Sequence, residues 1–170
     1  GKFTAGHKVD RIAAHIDLAP TLLEIAAVKK PAAVSFDGVS LLPLLKGEPV
    51  SWPDRTLFFQ WHRGDVPELY RAFAARSQEY KLVQPNGSGD GPASSPVFKL
   101  YDMARDPFEM RDIAATQPDV AARMKHEYEQ WFQDVTSGRD YTDPSRIVLG
   151  APQANFVRLT RQDWRGPQAG

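Results

Sequence analysis

Hydrophobic and polar positions alternate over short distances between residues 55 and 83, and this pattern is typical of β-strands. Three runs rich in aromatic and β-branched residues, at 55–64, 70–76 and 80–83, are separated by the turn-forming stretches 64–67 and 77–79. A fourth such run follows at 97–102, and a turn at 105–109 closes it. The pattern predicts four consecutive antiparallel strands in one sheet.

The longest amphipathic stretch begins near Pro118 and stops at Gly138. Its apolar side chains recur every three or four residues, which is the spacing of one helix face. A helix with such a broad stripe is expected to cover one face of the sheet. The sequence therefore predicts an α+β fold, with a four-stranded antiparallel sheet and a C-terminal helix packed on it. The stripe consists of Val120, Met124, Tyr128, Trp131, Phe132 and Val135.

The first 50 residues predict a strand and two helices ahead of the sheet. Residues 11–16 fit a short strand, and Asp17 is placed to cap a helix whose first turn contains Pro20. That helix fades at the cations and proline of residues 29–31. Its apolar face consists of Leu18, Leu22, Ile25 and Ala26.

A second, shorter helix is predicted after Ser40, ending at Gly47. Helices this short are not stable alone in water. The leucines at 41–45 and the apolar face of the first helix therefore need an additional surface to pack against.

Composition narrows the range of functions. The 21 basic and 21 acidic side chains cancel, so the chain has no net charge to attract nucleic acid or an anionic membrane. The absence of cysteine excludes disulfides, thiolate metal sites and a cysteine nucleophile. The sequence contains no apolar run long enough to span a bilayer. We expect neither nucleic acid nor a membrane as a partner, and we expect the sequence to begin within a longer protein.

Trp61, His62 and Arg63 stand together where the first predicted strand ends. A strand end at the rim of a sheet presents its side chains to whatever lies beyond that rim. Arginine offers a planar fork for a sulfate, phosphate or carboxylate group, and histidine can donate to the same group or to a sugar hydroxyl. His62 and Arg63 are therefore the candidate substrate-binding residues. The alternative is that these residues bind no ligand, and that Arg63 is only a surface cation of an edge strand beside a buried Trp61.

Other reactive patterns do not occur in the sequence. The four histidines lack the spacing of a metal site, no serine lies in a Gly-x-Ser-x-Gly elbow, and no glycine-rich loop has the residues of a phosphate-binding loop. The residues alone thus predict an α+β domain without an assigned catalytic or metal-binding residue.

Five short motifs occur in order along the chain. They are Asp-Leu-Ala-Pro-Thr-Leu-Leu at 17–23, Asp-Gly-Val-Ser-Leu-Leu-Pro-Leu-Leu-Lys-Gly at 37–47, Ala-Ala-Arg at 74–76 with Tyr-Lys-Leu-Val at 80–83, Leu-Tyr-Asp-Met at 100–103 with Asp-Pro at 106–107, and Leu-Thr-Arg-Gln-Asp-Trp-Arg-Gly at 159–166. Together they resemble the C-terminal portion of an arylsulfatase-type sulfatase, in the alkaline phosphatase superfamily. The chain departs from that pattern at Ala27, where glycine is usual, and at 111–112, where Asn-Leu is common.

The resemblance implies three regions. Residues 1–50 would be the tail of the large α/β sulfatase domain and its crossover. Residues 51–138 would be the small C-terminal domain, made of the antiparallel sheet and its helix. Residues 139–170 would be an extended, truncated arm, with apolar runs at 147–149 and 156–159.

The resemblance also implies an activity, the hydrolysis of sulfate esters by the full-length enzyme. Such enzymes use a formylglycine made from the Cys or Ser of a Cys/Ser-x-Pro/Ala-x-Arg motif, together with a calcium ion. The bare pattern occurs once, as Ser-Trp-Pro-Asp-Arg at 51–55, but it lies in the proline-containing connector ahead of the first predicted strand, outside the five motifs that carry the resemblance, so no nucleophile is assigned there. We therefore expect no cofactor in this fragment, no activity from it alone, and a role as one wall of the substrate cleft with His62 reaching the substrate.

Two alternatives and two further expectations remain open at this stage. The chain is alternatively a fragment of a phosphonate monoester hydrolase or phosphodiesterase of the same superfamily, or a free-standing α+β binding module. Apolar surfaces exposed by truncation could pair copies of the fragment into an oligomer. A periplasmic or secreted location is favoured only by the family resemblance.

Overall fold

The computed structural model describes residues 3, 6, 8–61, 66–87 and 95–138, all of which belong to one compact unit of the chain. Its centre is a four-stranded antiparallel sheet whose strands lie in chain order, as the sequence predicts. The runs at 147–149 and 156–159 lie outside the described residues. The strands are β1 (Leu57–Gln60), β2 (Phe73–Arg76), β3 (Tyr80–Gln84) and β4 (Lys99–Asp102).

The predicted C-terminal helix is confirmed as α3, which spans Pro118–Ser137 and ends at Gly138. Met124 and Tyr128 from the middle of its apolar stripe are completely buried against the sheet. Val135, at the end of the stripe, is 41% exposed. The stripe therefore covers the sheet over its first four turns and leaves the sheet in its last turn.

Aromatic stacking joins α3 to the sheet. The ring of Phe58 lies parallel to that of Trp131 with centroids 5.3 Å apart, and Phe73 stacks on Tyr128 at 3.6 Å. Such pairs add about 0.5–1.5 kcal/mol each to the free energy gained by burial. Because α3 lies on one face of the sheet, Phe58 and Phe73 mark the inner face.

Successive side chains of a strand point to opposite faces, so the residues between these positions form an outer face that points away from α3. The register pairs Phe59 with Ala74 and Ala74 with Val83 across this face. Among the outer-face residues, only Leu57 is buried. The outer face consists of Leu57, Phe59, Ala74, Arg76, Lys81, Val83, Lys99 and Tyr101.

The N-terminal part begins with a 3-10 helix, His15–Asp17, so the strand predicted at 11–16 is wrong. The Asp17 amide donates to the Ala14 carbonyl at 3.0 Å, and the Ala14 amide donates to Asp17 Oδ2 at 2.8 Å. This local ring of side-chain and backbone bonds competes with an extended conformation.

Both predicted N-terminal helices form, as α1 (Leu18–Ile25) and α2 (Leu42–Lys46). Asp17 occupies the N-cap position of α1, as predicted, but its side chain makes no capping bond to the helix. Gly47 ends α2 in the left-handed conformation, with φ 71°, as predicted.

The apolar face of α1 is largely exposed in the described part of the chain. Leu18, Leu22 and Ile25 expose 55%, 63% and 48% of their surface. The expected need for a further packing surface thus remains unmet among the residues at 8–61, 66–87 and 95–138.

The helices within these described ranges include none that is both long and apolar enough to cross a membrane.

Candidate functional site

The predicted substrate-binding residues, His62 and Arg63, lie outside the described residues, and their role stays a prediction. The chain is described up to Trp61, directly before them. The Trp61 amide donates to the Ala72 carbonyl at 3.0 Å, so the pairing of β1 with the chain ahead of β2 continues one residue beyond the strand. The Trp61 side chain is 64% exposed, so the alternative of a buried tryptophan at this position is wrong.

A groove of about 590 Å³ lies at this end of the sheet. The pairing Phe59–Ala74–Val83 places a methyl group between two larger side chains, which makes a depression across the sheet. Trp61 and Pro85 extend the two sides by one further outer-face position. We call this groove the aromatic trough. Its outer-face lining consists of Phe59, Trp61, Ala72, Ala74, Val83 and Pro85, and Phe58, Gln60, Phe73 and Trp131 also border it at the β1 edge.

The trough has one aromatic wall, an alanine floor and one aliphatic wall. Phe59 is 41% exposed, so two aromatic rings on the same wall face solvent. His15, from the 3-10 helix, also lines the groove and adds a polar group to its edge. No lysine or arginine is among the described residues that line it.

A second cavity, of about 780 Å³, lies at the start of β1 and is more polar. Its lining includes the ion pair of Arg123 with Glu127, whose nitrogen and oxygen are 2.7 Å apart. Arg55, which also lines this cavity, is paired with Asp17. The cavity therefore gives a less specific indication of a ligand than the trough does.

Asp17 and Arg55 form a buried ion pair that sequence reasoning missed. Arg55 Nη1 donates to Asp17 Oδ1 and Nη2 to Oδ2, both at 2.7 Å. The carboxylate is completely buried, and it also accepts the amides of Ala14 and Val39. Burial by itself raises the pKa of Asp17, but the bonds from Arg55 and the two amides outweigh it and lower the pKa below its ordinary value.

The same ion pair holds the N-terminal part against the sheet. Arg55 Nη2 also donates to the Ile12 carbonyl at 3.1 Å. The Ile12 amide in turn donates to the Gln78 side chain, in the turn between β2 and β3, at 3.1 Å. We call the Asp17–Arg55 pair with these bonds the clasp.

Gly38 and Thr21 explain why the motifs at 17–23 and 37–47 occur together. A Cβ atom on Gly38 would lie 2.1 Å from the Ile16 carbonyl oxygen, so only glycine permits this approach of two backbones. The Thr21 hydroxyl donates to the Asp17 carbonyl and accepts the Leu41 amide at 2.8 Å. The two motifs form one packed unit, and these contacts are structural.

Across residues 8–61, 66–87 and 95–138, no group of three or more His, Asp or Glu side chains is arranged to hold a metal ion.

Comparison with known proteins gives one family and several relatives. The sequence model of the family described as N-sulphoglucosamine sulphohydrolase, C-terminal, matches residues 1–134. The chain is 30% identical over 112 residues to an N-acetylglucosamine-6-O-sulfatase of Bacteroides thetaiotaomicron, which covers 64% of this chain and 19% of that protein. It is 28% identical over 130 residues to arylsulfatase K of Xenopus laevis, which covers 72% of this chain and 23% of that protein.

Solved structures share the fold. A 2-O GAG sulfatase superposes with a TM-score of 0.58 and 23% identity, over 79% of this chain and 28% of that chain. A protein solved in complex with k-i-k-neocarrahexaose superposes with a TM-score of 0.53 and 22% identity, over 69% of this chain and 24% of that chain. The chain thus spans about a fifth to a quarter of the length of these relatives.

Proposed function

Because the chain belongs to the family of N-sulphoglucosamine sulphohydrolase C-terminal regions, we propose that the protein hydrolyses sulfate esters and that this region forms one wall of its substrate cleft. The observation that carries the second part is the aromatic trough, a concave surface at the rim of the sheet. It lies beside the end of β1, where His62 and Arg63 follow in the sequence.

We propose sulfated sugars as the substrate class. The names of two curated relatives from Bacteroides thetaiotaomicron describe sulfatases of sugars, one acting on N-acetylglucosamine at the 6-oxygen and one on a hexuronate at the 2-oxygen. An aromatic surface suits the apolar face of a sugar ring better than it suits a sulfate group.

His62 and Arg63 are proposed to contact the substrate near its sulfate group, where a planar cation and a nearby imidazole provide charge-assisted hydrogen bonds. They are not proposed to carry out the chemical step. The formylglycine and the calcium ion of the reaction are proposed to come from another part of the full-length protein.

A second proposed role is to support the fold of the full-length enzyme. The exposed face of α1, made of Leu18, Leu22 and Ile25, is proposed to pack against the part of the protein that carries the nucleophile. Residues 1–50 would then belong to the large domain, and 51–138 to the small one.

Release of inorganic sulfate tests the proposed function. The full-length protein is expected to release sulfate from sulfated glycosaminoglycan or carrageenan oligosaccharides, and the 170-residue chain alone is expected to release none. Hydrolysis of a phosphonate monoester in preference to every sulfate ester would instead favour the rival hydrolase. A protein of only these 170 residues that binds sugars without turnover would favour the free-standing module.

The role of His62 is tested by His62→Ala in the full-length protein. We expect kcat/KM for the sulfated sugar to fall by about 10- to 100-fold, the value of a hydrogen bond to a charged group. Glu24→Ala, at an exposed position of α1, is the control and should leave kcat/KM unchanged. An unchanged kcat/KM in the His62 variant would show that His62 does not contact the substrate.

A further inference from the structure

We propose that the aromatic trough is a sugar-binding subsite, which holds a ring of the saccharide other than the ring that loses its sulfate. This inference rests on the proposed function and deepens it. It concerns the outer-face residues of the trough, Phe59, Trp61, Ala72, Ala74, Val83 and Pro85.

The shape of the trough carries the first step. The alanine floor between Phe59 and Val83 follows from the strand register, and it leaves a flat-bottomed depression instead of a filled row. The groove volume of about 590 Å³ lies in the range of small-molecule sites, about 300–1,000 Å³.

The exposure of the aromatic wall carries the second step. Single exposed apolar residues are common on protein surfaces, but Trp61 at 64% and Phe59 at 41% stand together on one wall of a concavity. Aromatic rings of this kind pack against the C–H face of a sugar, while a polar group at the edge binds a hydroxyl. His15 supplies such a group at the edge of the trough.

Charge carries the third step and decides which ring of the saccharide binds. A sulfate group is bound by Arg, Lys or backbone amides. The described lining of the trough is mainly apolar, and His62 and Arg63, which are proposed to contact the sulfate group, follow Trp61 in the sequence. The trough is therefore assigned to a neighbouring ring, whose apolar face can lie against Trp61.

The experiment uses Trp61→Ala in the full-length protein with two kinds of substrate. For sulfated heparin, chondroitin and carrageenan hexasaccharides, KM of the best substrate is expected to rise about tenfold with little change in kcat, which corresponds to about 1.4 kcal/mol. For 4-nitrophenyl sulfate, which has no second ring, KM is expected to stay the same. Trp61→Phe keeps an aromatic ring and should retain most of the affinity.

Phe108→Ala is the matched control, because Phe108 is an aromatic residue that is 83% exposed and does not line the trough. It should change neither KM. Equal KM values of wild type and Trp61→Ala for the hexasaccharides would overturn the subsite while leaving sulfate-ester hydrolysis intact. An equal rise in KM for both kinds of substrate would also overturn it.

A direct measurement of saccharide binding tests the subsite separately from sulfate-ester hydrolysis. If the wild-type protein releases sulfate from no substrate, the proposed function fails, and calorimetric titration with the same hexasaccharides still tests the trough. Binding that Trp61→Ala weakens about tenfold supports the subsite. Absence of binding to all three saccharides overturns it. A lowered melting temperature of Trp61→Ala without loss of saccharide binding would show that protein, and not sugar, covers the trough.

Discussion

Ala27 is the residue at which this chain departs from the glycine usual in sulfatases, and its backbone has φ 53°. It follows the last turn of α1, where the Val28 amide donates to the Leu23 carbonyl at 2.9 Å and the Ala27 amide donates to the Glu24 carbonyl at 3.1 Å. These two bonds form the Schellman ending of a helix, which favours glycine at the left-handed position. A side chain there costs about 1–2 kcal/mol.

Ala27→Gly is therefore expected to stabilise the protein by about 1 kcal/mol, less than the full strain because glycine gains entropy in the unfolded chain. Ala26→Gly is the control, since Ala26 has a helical φ of −80° and glycine should cost about 0.5–1 kcal/mol there. Urea unfolding of the two variants measures the difference. Destabilisation by both would mean that the positive φ carries no strain.

Among the elements, the clasp joins the 3-10 helix to the segment just ahead of β1 through the Asp17–Arg55 ion pair. Removing one partner of a buried pair leaves the other charge unpaired, whereas exposed pairs contribute little. The lowered pKa of Asp17 means that its contribution to stability is complete above its ordinary pKa of 3.8. That contribution is lost as the pH falls through the lower folded-state value.

Asp17→Asn is expected to cost about 3–5 kcal/mol in free energy of unfolding at neutral pH. Its stability should also fall less steeply than that of the wild type between about pH 5 and pH 2. Glu48→Gln removes the exposed pair of Lys46 with Glu48, at 3.5 Å, and should cost less than about 1 kcal/mol. Chemical unfolding monitored by circular dichroism across this pH range measures the free energy of unfolding of both variants. Equal losses of stability in Asp17→Asn and Glu48→Gln would show that burial of the Asp17–Arg55 pair does not add to its contribution.

Sequence patterns were sufficient for elements that depend on local periodicity and insufficient for the clasp. The strands and α3 were predictable because the spacing of Met124 and Tyr128 and the runs of aromatic residues report burial directly. Asp17 has the local features of a helix cap, so its true partner, Arg55, 38 residues away, could not be recognised. The trough was missed for a related reason, because its alanine floor comes from a different strand than its aromatic wall.

At the scale of the whole molecule, the apolar face of α1 is an exposed surface of the described chain. Surface leucines are common singly, but three on one helix face that expose about half of their area or more indicate a partner surface. The chain spans only about a fifth of its curated relatives. Packing of this face against the remainder of the full-length protein is the arrangement proposed above.

Leu22→Ala tests that arrangement in the full-length protein. If Leu22 is buried there, its truncation should cost about 2–5 kcal/mol, a much larger loss than its 63% exposure in this chain would allow. Glu24→Ala on the same helix should change stability by less than about 0.5 kcal/mol. Thermal and urea unfolding compare the two, and a Leu22 variant as stable as the wild type would place this face in solvent.

The bond from the Ile12 amide to the Gln78 side chain has a consequence for the order of folding. It closes a separation of 66 residues, and the Arg55 bond to the Ile12 carbonyl closes one of 43. Long loops are entropically costly to close before other contacts have formed. The segment around Ile12 can therefore be fixed by these bonds only after β2, β3 and their turn exist, although it is synthesised before them.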